Sequence, residues 1–370
     1  MCGMRSLFLL LLALTSPALA AVRIERVPES GVQPQIAPGT DGSLHLVYLK
    51  GRPGGCDVRY AAKRPGSSAW SGPVTVNSEP HSAVSLGTIR GAQVAPGKDG
   101  SVHVVWNGPG SKDRPSSLFY TRKAATAATF EPQRNLRADT KGLDGGASIA
   151  AGTRGEVYII WHGARESVAP GELNRVVFVL KSSDNGTTFA PVKIANAEDA
   201  GVCACCSVRS FVSPAGEVYS LYRAARKLDQ RDVTLLTSTN GGASFQHRVV
   251  GPWAINACPM SSMSLAAQGS RVRGAWEAEG KVFTSLLDAS SEAVDICGGK
   301  ARHPALAVNT KGETLVAWSV GTGWEKGGSL GWRILDASSK PTTQSGTAEG
   351  VPVWGFAAAY AEGDGFVVMF

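Results

Sequence analysis

Short apolar runs alternate with polar turns along this chain, and the stretch 147–194 shows the pattern most completely. Its four apolar runs lie at 147–150, 156–161, 176–181 and 192–194. The turn at 152–155 contains glycine and joins the first two runs, which is typical of a tight antiparallel hairpin. The pattern therefore predicts a unit of four antiparallel strands.

The first hairpin of this unit occurs seven times along the chain. Each copy turns at a glycine, and the seven are Gly42, Gly100, Gly155, Gly216, Gly269, Gly312 and Gly365. Neighbouring turn glycines are 43 to 61 residues apart, which suits a four-stranded propeller blade and does not suit βαβ units. With 44 Gly, 20 Pro and 18% charged residues, the composition also fits short strands joined by turns. We therefore expect one all-β propeller of four-stranded blades, with seven blades favoured and six as the alternative.

The seventh hairpin ends at Phe370 and has no chain after it to supply outer strands. The segment 22–27 has strand character, so we expect it to pair with this hairpin and close the ring. Closure removes the exposed sheet edges. The aliphatic residues and the tryptophans at strand ends are core residues in this interpretation.

The polar turn at 182–189 has the pattern S-x-D-x-G-x-T-F, and a copy at 238–245 has Asn in place of Asp. The defining residues are Ser182, Asp184, Gly186 and Phe189 in the first turn and Ser238, Asn240, Gly242 and Phe245 in the second. In such a turn the polar side chains bond the backbone, the glycine has positive φ, and the aromatic ring fills the gap between sheets. On these residues the chain resembles the sialidase-like (BNR/Asp-box) propellers.

The resemblance implies a fold rather than an activity. Sialidases have six blades, an arginine on the first inner strand and a Tyr–Glu nucleophile pair. In this chain the first inner strand has the sequence Q-P-Q-I at 33–36 and contains no arginine, and no Tyr–Glu pair can be assigned. Conventional sialidase chemistry is therefore not expected. The C-x-C-C segment at 203–206 and the run at 324–328 also resemble a group of uncharacterised exported sialidase-like proteins, from which no activity follows.

The first twenty residues contain Arg5, an apolar run at 7–14 and the small-residue end Ala18-Leu19-Ala20, which is typical of a signal peptide. Residues 21–370 then form the propeller. No later run reaches the roughly 18 apolar residues of a membrane span. We expect a secreted or periplasmic monomer without a transmembrane segment and without a nucleic-acid partner.

The formal net charge of +7 comes from scattered basic residues. A positive surface favours anionic glycans or a membrane surface, although solubility is the simpler explanation of the charge.

The loops that enter the inner strands and those that follow the second strands open on one face of a propeller. Cys203, Cys205, Cys206 and Cys258 all lie in such loops, on neighbouring blades. Export favours a disulfide between Cys258 and one of the other three. A site for Zn or Cu(I) and a reactive thiol are the alternatives, because thiolates suit these metals. No other cofactor is expected.

The same face is predicted to gather basic, aromatic and titratable residues. As anion contacts we expect Arg209, Arg223 and Arg231, as stacking surfaces Trp253 or Trp324, and as acid/base candidates Asp232 and His303. Further polar residues on this face are His81, Arg90, Asp144, His162, Glu166 and Glu325. The simpler interpretation is that the arginines are exposed or paired with carboxylates.

The leading hypothesis is an exported propeller that binds an anionic glycan or similar ligand at the channel mouth. The alternatives are a glycoside hydrolase or lyase, with Asp232 as acid/base, and a scaffold that docks a protein. A concave pocket with a buried, charge-perturbed carboxylate beside arginines would favour the enzyme.

Overall fold

The computed structural model describes residues 21–87, 89–110, 116–136, 143–165, 169, 171–197, 199–227, 229–287 and 291–370. The predicted signal peptide, residues 1–20, and Glu166 lie outside the described residues. Within these ranges the chain forms 28 strands and three short 3-10 helices, Pro28–Ser30, Lys98–Gly100 and Glu172–Asn174. None of these helices has the length and apolarity needed to span a membrane.

The strands form seven sheets arranged as propeller blades, which we number along the chain. Blade 1 comprises Val32–Pro38, Leu44–Arg52, Gly55–Lys63 and Val74–Thr75, blade 2 Gln93–Pro96, Val102–Asn107, Leu118–Lys123 and Arg134–Asn135, and blade 3 Ser148–Ala151, Val157–Ala164, Arg175–Ser182 and Lys193–Ile194. Each is a four-stranded antiparallel meander. The order of strands follows the order of apolar runs in the sequence.

Blades 4 to 6 repeat the meander, with one irregularity. Blade 4 comprises Gly201–Val202, Arg209–Val212, Val218–Ala225, Val233–Ser238 and Gln246–Gly251, blade 5 Met263–Gln268, Arg271–Ala278, Lys281–Leu286 and Val294–Asp295, and blade 6 Ala301–Val308, Thr314–Val320, Gly328–Leu335 and Pro341–Val351. The first two strands of blade 4 both pair with Val218–Ala225, so its inner edge is split. Residues 203–208, which carry three cysteines, leave the sheet at this split.

Blade 7 closes the ring as predicted. It has three strands, because Ala358–Glu362 and Gly365–Met369 form a hairpin and Val22–Glu25 pairs in parallel with the latter. Phe370 donates its N–H to the Glu25 carbonyl at 3.2 Å and so extends the pairing. Seven blades are confirmed.

The core consists of apolar layers between blades that pack face to face. Because a blade is covered on both sides, the strand Val157–Ala164 is buried at seven consecutive positions. The strand-end rings Trp106, Trp161 and Trp276 are at most 1% exposed, as predicted for core residues. These layers hold the loops of one face in fixed positions.

The turn at 182–189 locks blade 3 to blade 2. Ser182 Oγ accepts the Gly186 N–H at 2.8 Å, and Phe189 packs edge-on against Tyr120, with ring centroids 5.2 Å apart. Gly186 has φ of 77°, and a Cβ there would lie 1.8 Å from the Tyr120 hydroxyl, so only glycine fits.

Candidate functional site

The loops that enter the inner strands bond to one another over the channel. Gln33 Nε2 donates to the carbonyls of Ser85 at 2.6 Å and Trp354 at 3.0 Å, which ties blades 1, 2 and 7 together. On the other side of the ring, Val208 N–H donates to the Gly146 carbonyl at 2.9 Å, and Ser207 N–H to the Ser261 carbonyl at 3.1 Å. The face is therefore a connected surface rather than a set of independent loops.

Arg209 lines a cavity of about 100 Å³ in the central channel, between the inner strands. Its Nη1 donates to the carbonyl of the preceding Val208 at 2.9 Å. The surrounding protein removes much of the water around the guanidinium, and this desolvation lowers the pKa of Arg209 to about 10. The residue keeps some accessible surface because it faces the channel space. Arg209 thus lies inside the channel rather than on the outer surface of the mouth.

Arg223 and Arg231 form a second group, with Trp253. Arg223 is 1% exposed and donates from Nε to Ser261 Oγ at 2.8 Å, from Nη1 to the Arg231 carbonyl at 2.6 Å and from Nη2 to the Glu277 carbonyl at 2.5 Å. Its guanidinium lies 4.8 Å from the centroid of the buried Trp253 ring. These contacts connect blade 4 to the loop that enters blade 5.

Arg231 and Asp232 are also buried. Arg231 Nη1 lies 2.5 Å from Glu172 Oε2. Asp232 Oδ1 accepts the Trp253 N–H at 3.0 Å and Gln230 Nε2 at 3.0 Å. The Asp232 side chain and the Arg231 N–H, which donates to the Trp253 carbonyl at 2.8 Å, hold the segment 231–232 against the loop around Trp253, while the Arg231 side chain pairs with Glu172.

The cysteines meet beside this group, and the predicted disulfide is confirmed. Cys205 is bonded to Cys258, with Cα atoms 6.4 Å apart, and Cys258 is exposed. Cys203 and Cys206 are buried thiols with Sγ atoms 3.5 Å apart, and Cys203 Sγ lies 3.6 Å from Cys205 Sγ. Cys56 and Cys297 are free thiols outside this cluster.

A third group contains Trp324 and His303 and lies at a depression formed by loops and strands of blades 2, 5, 6 and 7, here called the tryptophan depression. The depression is lined by Gly87, Met260, Arg302, His303, Thr322, Gly323, Trp324 and Trp354. Trp324 is 63% exposed, and its ring meets the buried Trp354 edge-on, with centroids 4.7 Å apart. An exposed indole held in one orientation is a surface on which a flat apolar group can stack.

Behind the depression lies the carboxyl group of Glu277, which no sequence motif had indicated. Glu277 is 4% exposed; its Oε1 is 3.2 Å from Arg302 Nε, and its Oε2 accepts the His303 N–H at 3.4 Å. Burial raises the pKa of Glu277 to about 7, although the charges of Arg302 and Arg223 oppose the shift. The sequence signal was an acidic residue directly after the strand-end Trp276.

His303 is buried with φ of 52°, and its Nδ1 lies 3.2 Å from Ser262 Oγ. Burial, together with the charges of Arg302 and Arg209, lowers the pKa of His303 to about 3. The ring is therefore neutral near pH 7. It contributes to the wall of the depression without carrying charge.

The predicted site residues thus fall into three neighbouring places: the channel, the cysteine side and the tryptophan depression. Glu277 joins the last two, because its carbonyl accepts from Arg223 and its carboxylate contacts Arg302. The structure brings His303 to Trp324 and brings Asp232 to Arg231 and Trp253.

No family model matches the sequence, and no curated protein matches it. Solved structures do resemble it. A protein of unknown function from Dyadobacter fermentans DSM 18053 has a TM-score of 0.56 at 16% identity, with 85% of this chain and 96% of that chain covered. An α-L-arabinanase from Penicillium chrysogenum complexed with arabinobiose has a TM-score of 0.54 at 10% identity, with 85% and 96% covered.

A Hadza microbial sialidase has a TM-score of 0.51 at 12% identity, with 84% of this chain and 70% of that chain covered. At such identities the likeness concerns the fold alone. The chain shares its β-propeller fold with this sialidase and with the α-L-arabinanase, and the resemblance to sialidase-like propellers is confirmed at that level.

Proposed function

We propose that this propeller is exported and binds an anionic carbohydrate at the tryptophan depression. The observation that carries the proposal is Trp324, which is 63% exposed and lines the same depression as Arg302. The apolar face of a sugar ring stacks on such an indole, while a guanidinium binds a carboxylate or sulfate group. That propellers of this fold include a sialidase and an arabinanase supports a glycan as the ligand class.

Arg302 is suited to the anion role because it is held but not fully enclosed. Its side chain is 27% exposed, and its Nε and Nη2 are oriented by Glu277 and by the Pro259 carbonyl. A pre-oriented guanidinium loses little entropy when it binds a planar anion. Direct anion contacts by Arg209, Arg223 and Arg231, stacking by Trp253, and acid/base roles for Asp232 and His303 stay predictions.

The test is binding of residues 21–370 to immobilised polygalacturonate, chondroitin sulfate and a sialylated glycoprotein, with neutral dextran for comparison. We expect binding to at least one anionic polymer, weakened by added salt because screening shortens the range of charge attraction. Trp324→Ala should weaken it by roughly tenfold or more. Ile194→Ala, which removes an exposed apolar side chain from an outer strand, is the matched control. Equal binding by Trp324→Ala and the parent chain would refute the proposal.

A second candidate function is glycan cleavage, and Glu277 favours it. A carboxyl whose pKa is about 7 exchanges its proton near neutrality, which general acid–base chemistry requires. If Glu277 is the acid, cleavage of the bound polymer falls as pH rises through about 7 and is lost in Glu277→Gln. Reducing-end assays and ultraviolet detection of unsaturated products separate hydrolysis from elimination. Binding without either product would leave the propeller as a binding protein.

A further inference from the structure

We propose that Cys203, Cys205, Cys206 and Cys258 form a site for one thiophilic metal ion, Zn(II) or Cu(I), when the Cys205–Cys258 disulfide is reduced. The Sγ atoms of Cys203, Cys205 and Cys206 all lie within 4.8 Å of one another. Two of the separations are 3.5 and 3.6 Å. Around a tetrahedral ion with metal–sulfur bonds of about 2.3 Å, thiolates are about 3.8 Å apart. The three sulfurs are therefore close to ligand spacing already.

The fourth sulfur is supplied by the neighbouring blade. Cys258 is covalently joined to Cys205, so reduction leaves its sulfur next to the Cys205 sulfur, at the edge of the three-cysteine group. The segment that carries the first three ligands is the loop at the split inner edge of blade 4, which is anchored by the Cys203 N–H to the Arg223 carbonyl at 2.9 Å. Four thiolates from two adjacent loops would complete a closed tetrahedral site.

The surroundings of Cys206 resemble the outer shell of a metal thiolate. Its Sγ accepts the Ser261 N–H at 3.4 Å, and Ser261 Oγ lies 3.3 Å away. Ser261 Oγ in turn accepts from Arg223 Nε at 2.8 Å. Such hydrogen bonds orient ligands and stabilise their negative charge.

The charged residues around the cysteines also favour a metal–thiolate site. A divalent ion with four thiolates carries two negative charges, and a buried anion needs compensation. Arg223 contacts the ligand shell through Ser261 and supplies a positive charge there. Arg231 is paired with Glu172, whose Oε1 accepts the Ala204 N–H at 2.8 Å and so helps to hold the cysteine loop. A structural disulfide by itself accounts for Cys205 and Cys258 and gives no reason for two further buried thiols beside it.

A dithiol reductant supplies the electrons and protons that reduce the Cys205–Cys258 disulfide. The reductant transfers two electrons and two protons to the Cys205–Cys258 bond and becomes a disulfide itself. The four thiols then release their protons as they bind the ion. Reductant can reach the bond because Cys258 is exposed.

The experiment is a titration of the reduced chain, residues 21–370, with Co(II) as a spectroscopic probe under anaerobic conditions. Tetrahedral cobalt thiolate absorbs strongly in the visible range, and we expect about one equivalent to bind. Zn(II) then bleaches the band if zinc is the preferred ion. A parallel titration with Cu(I) against a chromophoric chelator measures copper affinity, and the two arms distinguish the metals.

Cys203→Ser and Cys206→Ser should each lower metal affinity by roughly 100-fold, because one thiolate ligand is lost. Both variants keep the Cys205–Cys258 pair, so circular dichroism of their oxidised forms checks the fold. Cys56→Ser and Cys297→Ser are the matched controls, since those thiols lie outside the cluster. The proposal is overturned if reduced parent chain binds neither metal, or if the two cluster variants bind as well as the controls. Glycan binding is measured separately and does not decide this result.

Discussion

At the scale of single residues, the polar groups on this face mostly bond to the protein itself. Arg223 is the extreme case, with three donors directed at one hydroxyl and two carbonyls. Sequence alone suggested an anion contact, because an arginine in a loop on the functional face looks available. In the structure its bonds to Ser261 and to the Glu277 carbonyl join blade 4 to blade 5.

Arg223→Met should therefore lower the free energy of unfolding by about 4 kcal/mol, because three buried acceptors lose their partner. Urea unfolding followed by tryptophan fluorescence measures the change. The control is Arg154→Met, which removes a side chain that is 70% exposed and should cost no more than about 0.5 kcal/mol. A near-zero effect of Arg223→Met would show that water replaces these bonds.

The buried histidines should make the fold sensitive to acid. His162 donates from Nε2 to the Cys206 carbonyl at 2.8 Å and accepts from Arg175 at Nδ1, so protonation would place a second donor against Arg175. Burial and the Arg175 charge lower the pKa of His162 to about 3, and His303 has a similar value. The pKa of each ring is lower in the folded chain than in the unfolded chain. Each ring therefore contributes stability that is fully present above about pH 6.5 and is lost as the pH falls towards about 3.

Below about pH 6 each of these two histidines binds a proton in the unfolded chain but not in the folded one. Each should therefore lower the free energy of unfolding by about 1.4 kcal/mol per pH unit. Glu277 acts in the opposite direction, because its raised pKa adds stability as pH falls from about 7 to its unfolded value. Between about pH 6 and 5, the free energy of unfolding should fall less steeply with falling pH in His303→Gln than in the parent chain, because one of the two histidine contributions is absent. Urea titrations at several pH values measure it, with the exposed His247→Gln as the control substitution. An unchanged slope would contradict the assignment.

At the scale of elements, the turns at 182–189 and 238–245 achieve one geometry with different residues. Asp184 Oδ1 accepts the Thr188 N–H at 2.9 Å, and its Oδ2 accepts the Thr188 hydroxyl at 2.6 Å. Asn240 Oδ1 accepts the Ser244 N–H at 3.0 Å, while its Nδ2 donates to the Ser244 hydroxyl at 2.8 Å. The hydroxyl simply reverses its role.

Asp184→Asn should therefore leave thermal stability nearly unchanged, because the Thr188 hydroxyl can accept where it now donates. Asp184→Ala removes the acceptors and should lower the melting temperature clearly more than Asp184→Asn. Differential scanning calorimetry of the two variants decides this. Equal losses would mean that the charge, rather than the hydrogen-bond pattern, stabilises the turn.

At the scale of the whole molecule, stability should depend on ring closure. Val22 lies opposite Phe366 and Glu25 opposite Met369, so the N-terminal strand covers the edge of blade 7. Arg26 also bonds the Glu349 and Gly350 carbonyls of blade 6. The first residues of the propeller thus link its last two blades.

A chain that begins at Pro28 should lose on the order of 5 kcal/mol of unfolding free energy, because strand hydrogen bonds and apolar burial at Val22 and Ile24 disappear. The uncovered edge should also cause concentration-dependent association. Urea unfolding and light scattering after size exclusion measure both effects. Arg23→Ala, which removes only ion pairs with Glu25 and Glu362, is the control and should keep the association state and the stability of the parent chain. A stable, monomeric shortened chain would contradict this account of closure.

The sequence by itself determined the repeat, the propeller, the closing strand and the convergence of the cysteines on one face. These follow from local rules, since turn glycines and apolar alternation depend on neighbours in the chain, and consecutive blades are adjacent in space. It also predicted that Cys258 would bond to one of three cysteines, because the loops that carry them enter neighbouring blades on the same face.

Only the tertiary structure decided that the partner is Cys205, that Arg223 is enclosed, and that Glu277 titrates near neutrality. Each depends on contacts between residues far apart in the chain: Cys205 meets Cys258, 53 positions away, and Glu277 meets Arg302 from the next blade. Side-chain direction and desolvation arise from packing across blades, which no local pattern encodes.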